Sequence, residues 1–348
     1  MLNEPQRPNR DDEIELVELI QGIWRQRVWV GLVAAPIVAA GVAYALLATP
    51  VYEARLFVEP PSQNDIAQLN YGRGGESGLS HLTVKDVYDT HLQALQSEGV
   101  RNKFFRDVYL PSLDPELRKG SRDSLYSEFA NVLTVAPVGK GSTTRYAVTA
   151  STTDPQQAAK WVVAYNELAA GNAKHEVLES NRSDMLIKAD NLQTQIDALK
   201  ASALREREDR IAQLKEALVV AKSIGLEKPP VISQSLTDEV SAAMGGSLTY
   251  MRGSRALESE ISNLQARTSD DPFIRGLRPL QESVMFYRNL KLDPSVIQVF
   301  EQDGAVELPD RPVKPRKTLI VALSVVLGLG AGVMLAIGRE LWGRRRPG

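Results

Sequence analysis

Two long apolar segments constrain the fold of this chain more than any other feature. They cover residues 28–48 and 318–338, and neither contains an ionisable side chain. Each is about 20 residues long, the length that a helix needs to cross a hydrocarbon core of roughly 30 Å. A core helix of this length in a soluble protein normally keeps one polar side. The sequence therefore predicts two transmembrane helices, and the absence of charges argues against an ion or proton path through them.

The first apolar segment does not read as a cleaved signal peptide. The region before it is long and carries an acidic run at Asp11, Asp12 and Glu13, whereas a signal peptide begins short and basic. No small-x-small cleavage site follows it. We interpret this segment as a permanent anchor.

Basic residues next to the two segments predict the orientation. Cytoplasmic flanks are enriched in Lys and Arg, which here are Arg25, Arg27, Arg339, Arg344, Arg345 and Arg346. Both termini are therefore expected in the cytoplasm of a bacterium, and the middle of the chain in the periplasm. A second basic group conflicts with this rule, but a loop of this length translocates largely regardless of charge. That group is Arg311, Lys314, Arg316 and Lys317.

The expected fold class is an α+β membrane protein, in which two transmembrane helices flank a periplasmic α/β base with a long projecting helical arm. The predicted segments are a cytoplasmic N-terminus with an interfacial helix (1–27), the first span (28–48), a periplasmic domain (49–317), the second span (318–338) and a cytoplasmic tail (339–348). Within the periplasmic domain we expect the base at 49–153 and 295–308, the arm at about 154–268, and a proline-rich connector at 309–317.

Alternating apolar residues predict the strands of the base. Such stretches occur at 51–59, 132–137 and 145–150, and Val296, Gln298 and Phe300 begin a last one, which is expected to rejoin the sheet. Residues 83–109 are predicted to be helical up to Pro111.

The arm begins at a strong helix-start signal, Asp154 followed by Pro155. No proline occurs from 156 to 228, so one helix of roughly 100 Å can continue to about Lys222. Its apolar residues recur every seven positions, which predicts a seam against neighbouring helices. The seam residues are Leu178, Met185, Leu192, Ile196 and Leu199. A turn at 225–246, a returning helix near Leu257 and breaks at Pro272, Pro279 and Pro294 complete the region.

Composition and motifs argue against most catalytic chemistries. The formal net charge of −2 gives no basic signature for nucleic acid, and the chain has no cysteine. The segment at 139–143 lacks the spacing of a phosphate loop and suits a turn. The three histidines show no metal-ligand pattern. We therefore expect no catalytic residue, no metal and no cofactor.

Five residues are the candidate functional positions, all with structural or assembly roles. Pro309, Pro312 and Pro315 are expected to stiffen the connector before the second span. Gly328 and Gly332 form a Gly-x-x-x-Gly face that lets helices approach closely. Small residues Gly31, Ala35 and Ala39 of the first span are candidates for the same kind of packing, either between the two spans or between subunits.

Both ends of the chain resemble the Wzz polysaccharide chain-length determinants, or polysaccharide co-polymerases. The proline-rich segment at 308–317, followed by an apolar span, looks like that family's signature. The acidic and apolar run at 11–20, Tyr52-Glu53-Ala54 after the first span, and the helix start at 154–159 are also similar to the family. The similarity in layout covers essentially the whole chain.

The resemblance implies a non-enzymatic regulator that sets the modal length of lipopolysaccharide O antigen made by the Wzy polymerase. It implies a ring-like homo-oligomer in the inner membrane, with Wzy and the growing polysaccharide on its lipid carrier as partners. Larger relatives carry a cytoplasmic tyrosine kinase after the second span. That activity is not expected here, because only about ten residues follow the span and no phosphate loop occurs.

Three other functions stay open at this point. A co-polymerase for capsule or exopolysaccharide differs little in sequence from an O-antigen regulator. A periplasmic transport adaptor with a helical hairpin normally has one anchor, so the second span counts against it. A two-span sensor would normally continue into a cytoplasmic signalling domain.

Overall fold

The structure is a computed structural model that describes residues 24–139, 144–230, 246 and 248–344, with side chains as far as 339. The interfacial helix predicted within 1–27, and the acidic run in it, fall almost entirely outside the described residues. The chain packs as two units. Unit 1 comprises Met1–Gln63, Thr83–Lys174 and Gln298–Gly348, and unit 2 comprises Asn64–Leu82 and His175–Ile297.

Unit 1 contains both apolar helices. Helix α1 is Arg27–Leu47 and helix α8, the last of the chain, is Lys317–Arg344. Both are long and apolar enough to cross a membrane, as predicted from their lengths. Pro36 lies inside α1, where a membrane helix tolerates it better than a soluble one does.

A four-stranded sheet forms the other part of unit 1. Strand β1 (Tyr52–Glu59) pairs antiparallel with β3 (Tyr146–Thr152), β3 pairs with β2 (Leu133–Pro137), and the short β4 (Glu301–Gln302) completes the order β2-β3-β1-β4. The first three strands confirm the alternating patterns. The final stretch returns to the sheet as predicted, through the short β4.

The strand predicted to begin at Val296 begins later, at Glu301, because residues 296–300 form a turn and a loop. Ile297 and Val299 are the buried residues, whereas Val296 is about half exposed and lies in a turn. Alternation alone does not distinguish a short buried loop from a strand, and the residues that pair with β1 as a strand are Glu301 and Gln302.

Helices α2 (Val84–Gln96), α3 (Glu98–Phe104) and α4 (Arg122–Val132) also belong to unit 1. Helix α3 continues through a π-helical turn (Phe105–Tyr109) to Leu110–Ser112. The predicted single helix at 83–109 is therefore interrupted, because Ser97 adopts an extended backbone with ψ 127°. Thr83 caps α2 through a capping box with Asp86.

An aromatic cluster forms the core of unit 1. The ring of Phe104 meets that of Tyr165 edge-on at 5.4 Å and lies 6.0 Å from that of Phe129. All three residues are fully buried, and the Tyr165 hydroxyl donates a 2.7 Å hydrogen bond to the carbonyl of Leu95. Buried tyrosines need such a partner, since an unpaired hydroxyl is costly.

Helix α5 (Pro155–Ser223) is one continuous helix of 69 residues, as the absence of proline predicts. Its start is confirmed, because the Asp154 carboxylate accepts a 2.9 Å hydrogen bond from the amide of Gln156. Residues 155–174 belong to unit 1 and residues 175–223 to unit 2.

Unit 2 is built on the second part of α5, with α6 (Ser254–Ala266) and α7 (Leu277–Asn289). Of the predicted seam, Met185 and Ile196 are buried and Leu178, Leu192 and Leu199 are half-buried. The break predicted at Pro279 was wrong: this residue lies in the first turn of α7, where no intrahelical donor is needed.

The segment Asn64–Leu82 is held against the other parts of unit 2 by side-chain hydrogen bonds. Asn181 donates to the carbonyl of Leu69 at 2.7 Å, and Arg73, whose side chain is only 4% exposed, forms a 2.6 Å ion pair with Asp184. The Tyr287 hydroxyl donates to the carbonyl of Gly72 at 3.0 Å. The segment Asn64–Leu82 is thus an integral part of unit 2. The division into base, arm and connector stays a prediction.

Candidate functional site: the apolar helix pair and its connector

Helices α1 and α8 pack against each other along a face of small residues. A methyl group added at Gly328 would lie 3.1 Å from the carbonyl oxygen of Ala34. One added at Gly332 would lie 2.8 Å from the carbonyl oxygen of Val30. Both predicted glycines therefore occur where the two backbones approach too closely for an ordinary side chain.

A third close approach involves two residues that the sequence analysis missed. A methyl group at Gly41 would lie 2.5 Å from both Cβ and Oγ of Ser324. The Ser324 hydroxyl donates to the carbonyl of Val321 at 2.8 Å, so its polar group is satisfied within its own helix. Gly41 is visible in the sequence as a small residue, but only the antiparallel pairing shows that it faces Ser324.

The small residues that were predicted for α1 lie on another face. A methyl group added at Gly31 would meet nothing within 4 Å, and Ala35 and Ala39 are exposed. They do not contribute to packing between α1 and α8, which uses Val30, Ala34 and Gly41 instead. Their other predicted role, contact with another subunit, stays a prediction.

The connector before α8 is fastened to the chain that leaves α1. Val313 donates its amide to the carbonyl of Val51 at 2.8 Å, and Val51 donates to the carbonyl of Lys314 at 2.9 Å. Pro312 and Pro315, which flank these two residues, have no amide donor. Pro309 and Pro315 are half-buried and Pro312 is exposed. The roles of the three prolines stay predictions.

A second fastening lies at the other end of β1. The amide of Asp303 donates to the carbonyl of Phe57 at 3.0 Å, and its carboxylate pairs with the guanidinium of Arg145. The same guanidinium lies 4.5 Å from the centroid of the Phe57 ring. Residues 304–312 are therefore flanked by two hydrogen-bonded contacts. Asp303 is bonded to Phe57 in β1, and Val313 is bonded to Val51, directly before β1.

One buried titratable group in unit 1 has a strongly shifted pKa. Burial lowers the pKa of His91 to about 4, and the amide of Asn166 acts in the opposite direction. The imidazole stacks on the ring of Phe300 with a centroid distance of 4.7 Å. His91 is therefore a neutral packing residue at pH 7. Within residues 24–139, 144–230, 246 and 248–344 no group of three acidic or histidine side chains could hold a metal.

Comparison with known proteins confirms the resemblance to the Wzz family. The family description "Wzz: Chain length determinant protein" matches residues 12–108, and "G-rich domain on putative tyrosine kinase" matches residues 301–341. A chain length determinant protein of Escherichia coli is 22% identical over 326 residues, covering 93% of this chain and 92% of its own. One from Shigella dysenteriae is 23% identical, covering 94% of this chain and 93% of its own.

Solved structures share the fold. A full-length bacterial polysaccharide co-polymerase superposes with a TM-score of 0.69 at 19% identity, over 96% of this chain and all of the other. A Shigella flexneri lipopolysaccharide O-antigen chain-length regulator superposes with a TM-score of 0.54 at 18% identity, over 75% of this chain and 99% of the other. The predicted fold class, with two terminal apolar helices, a small sheet and a long helix, is confirmed.

Proposed function

We propose that this chain is a Wzz-type chain-length determinant, which sets the modal length of lipopolysaccharide O antigen made by a Wzy-type polymerase. The observation that carries this proposal is the full-length likeness to a solved polysaccharide co-polymerase, including both apolar helices. The curated relatives named chain length determinant protein support it along nearly the whole chain.

The proposed protein acts without catalysis. Both termini lie in the cytoplasm, the α1–α8 pair crosses the inner membrane, and the long helix α5 extends into the periplasm. Several copies assemble into a ring-like homo-oligomer beside the polymerase and the polysaccharide on its lipid carrier. The basic residues around α1 and α8 support the orientation. The close α1–α8 contact at Gly328 and Gly332 makes each protomer's anchor a single two-helix body.

A lipopolysaccharide gel tests the proposed function directly. It compares the parent strain, a clean deletion and a complemented deletion. We expect deletion to replace a cluster of bands with a smoothly decaying ladder, and complementation to restore the cluster. An unchanged ladder, in a strain shown to have no second length regulator, contradicts the O-antigen assignment.

A second candidate is a co-polymerase for capsule or exopolysaccharide. The match of residues 301–341 to a domain described on putative tyrosine kinases favours it, since that description is not tied to O antigen. If the lipopolysaccharide ladder is unchanged, the size distribution of these secreted polymers in the same three strains separates the two candidates.

A further inference from the structure

Four basic side chains next to the first turn of α8 are not explained by the proposed topology. Arg311, Lys314, Arg316 and Lys317 fall within seven residues, at the periplasmic end of α8. Lys and Arg are normally concentrated on the opposite, cytoplasmic side of a span. A long translocated loop tolerates such a cluster but does not require it, so the cluster needs a local reason.

Backbone hydrogen bonds fix the position of this cluster. The carbonyl of Val51 accepts from the amides of Val313 and Lys314, at 2.8 and 3.4 Å, and the amide of Val51 donates back to Lys314. Val51 lies four residues after the end of α1. The cations are therefore held where the chain both leaves and re-enters the apolar helix pair, at the level of lipid headgroups in the proposed topology.

The charges of the cluster are largely uncompensated. All four side chains are exposed. Arg311 pairs with the carboxylate of Asp310 at 4.0 Å, and both side chains are about nine-tenths exposed, at 91% and 89%. A pair of this kind contributes little. Within the described part of the chain, Lys314, Arg316 and Lys317 form no ion pair, so three cations face the membrane edge without a neutralising carboxylate.

We infer that this cluster binds the phosphate groups of anionic lipids in the outer leaflet of the inner membrane. Arginine pairs with phosphate oxygens through two parallel N–H donors, and lysine contributes a point charge. Each basic residue near an anionic membrane surface strengthens binding about fivefold. Two lipids offer this chemistry: anionic phospholipids, and a polyisoprenyl phosphate that carries glycan. The inference rests on the proposed function for its location in the outer leaflet.

The test measures lipid retention by the purified full-length chain in detergent. Native mass spectrometry is run with added phosphatidylcholine, phosphatidylglycerol or a polyisoprenyl phosphate at equal concentrations. The test variant replaces all four residues of the cluster with Gln. A charge-matched control replaces Lys103, Arg106, Lys119 and Arg122 with Gln; these are exposed residues of unit 1 outside the connector. Thermal unfolding of both variants checks that the fold is retained.

The parent is expected to retain the two anionic lipids over phosphatidylcholine, in which the choline cation neutralises the phosphate. In the test variant this preference should fall at least about tenfold, as expected from the loss of several cations. In the control variant it should stay within about twofold of the parent's value. Stronger retention of polyisoprenyl phosphate than of phosphatidylglycerol assigns the site to the carrier lipid, and equal retention assigns it to bulk phospholipid.

An unchanged preference in the test variant, or an equal loss in the control, overturns the inference. Because the assay measures lipid binding and not glycan length, a result that overturns the lipid-binding inference leaves the chain-length proposal untouched. Conversely, an unchanged glycan ladder would not remove a lipid-binding result.

Discussion

The buried imidazole of His91 links a single residue to the acid stability of unit 1. Its pKa is lowered to about 4 in the folded protein, against an ordinary value of 6.5. Between about pH 6.5 and pH 4, His91 is therefore protonated in the unfolded chain but largely neutral in the folded chain. The stabilising contribution of the neutral imidazole is complete above pH 6.5 and is lost as the pH falls toward 4.

We expect replacing His91 with Phe to flatten this dependence. The ring still stacks on Phe300, but it cannot take up a proton. Between pH 6.5 and pH 4 the parent should lose about 3 kcal/mol of unfolding free energy more than the variant, since one pKa unit corresponds to about 1.4 kcal/mol. Urea unfolding at a series of pH values measures this, with exposed His175→Gln as the control. Identical pH profiles for parent and H91F would contradict the assignment.

The glycines of α8 differ sharply in what surrounds them, and this allows a matched comparison. Gly328 and Gly332 face α1 at 3.1 and 2.8 Å, whereas a methyl group at Gly330 would meet nothing within 4 Å. Replacing Gly328 and Gly332 with Leu should separate α1 from α8, and so shift glycan length or weaken assembly.

The Gly330→Leu variant serves as the control, because its added side chain points into open space. Glycan length is read on gels and assembly by size-exclusion chromatography in detergent. The packing argument fails if the double variant behaves as the parent in both assays, or if the control is equally impaired.

Among the secondary-structure elements, the connector is joined by backbone hydrogen bonds to Val51, the residue directly before β1. The amide of Val313 is the shortest of these links, at 2.8 Å to Val51. A single hydrogen bond of this kind contributes about 1 kcal/mol. Its loss leaves the Val51 carbonyl with only the longer, 3.4 Å hydrogen bond from the amide of Lys314.

Replacing Val313 with Pro removes this donor while keeping the chain length. We expect faster proteolytic cleavage within residues 304–316, and a change in the modal glycan length if the connector transmits the position of the sheet to α8. Val313→Thr keeps both the amide and the β-branched shape, so it should match the parent. Equal cleavage rates for the Pro and Thr variants would show that the link is unimportant.

For the molecule as a whole, the absence of cysteine makes topology directly measurable. Single cysteines can be introduced without any background thiol. A cysteine at exposed Ser121 should react with a membrane-impermeant maleimide in intact spheroplasts, because the chain between α1 and α8 lies in the periplasm in the proposed orientation. A cysteine at Asn9 should react only after permeabilisation. The reverse pattern would contradict the orientation.

Local signals in the sequence were enough to predict several elements. The apolar lengths predicted α1 and α8, because a hydrocarbon core demands about 20 residues. Alternation identified β1 to β3, and Asp154-Pro155 marked the start of α5, because an acidic cap and a proline satisfy the first turn of a helix. The prolines of the connector and the glycines of α8 could also be singled out from the sequence. The restricted backbone of proline and the small size of glycine are properties of the residue itself.

Tertiary packing, by contrast, sets which faces and distant segments meet. From the sequence, Gly31, Ala35 and Ala39 were as suitable as Gly41 for packing against α8. Of these four residues, Gly41 is the one that faces α8, because the antiparallel pairing places it opposite Ser324. The hydrogen bonds from Val313 to Val51, and from Asn181 to Leu69, join residues more than one hundred positions apart. Local periodicity carries no information about such pairings, because they depend on how packed elements are positioned relative to one another and not on the conformation of either segment alone.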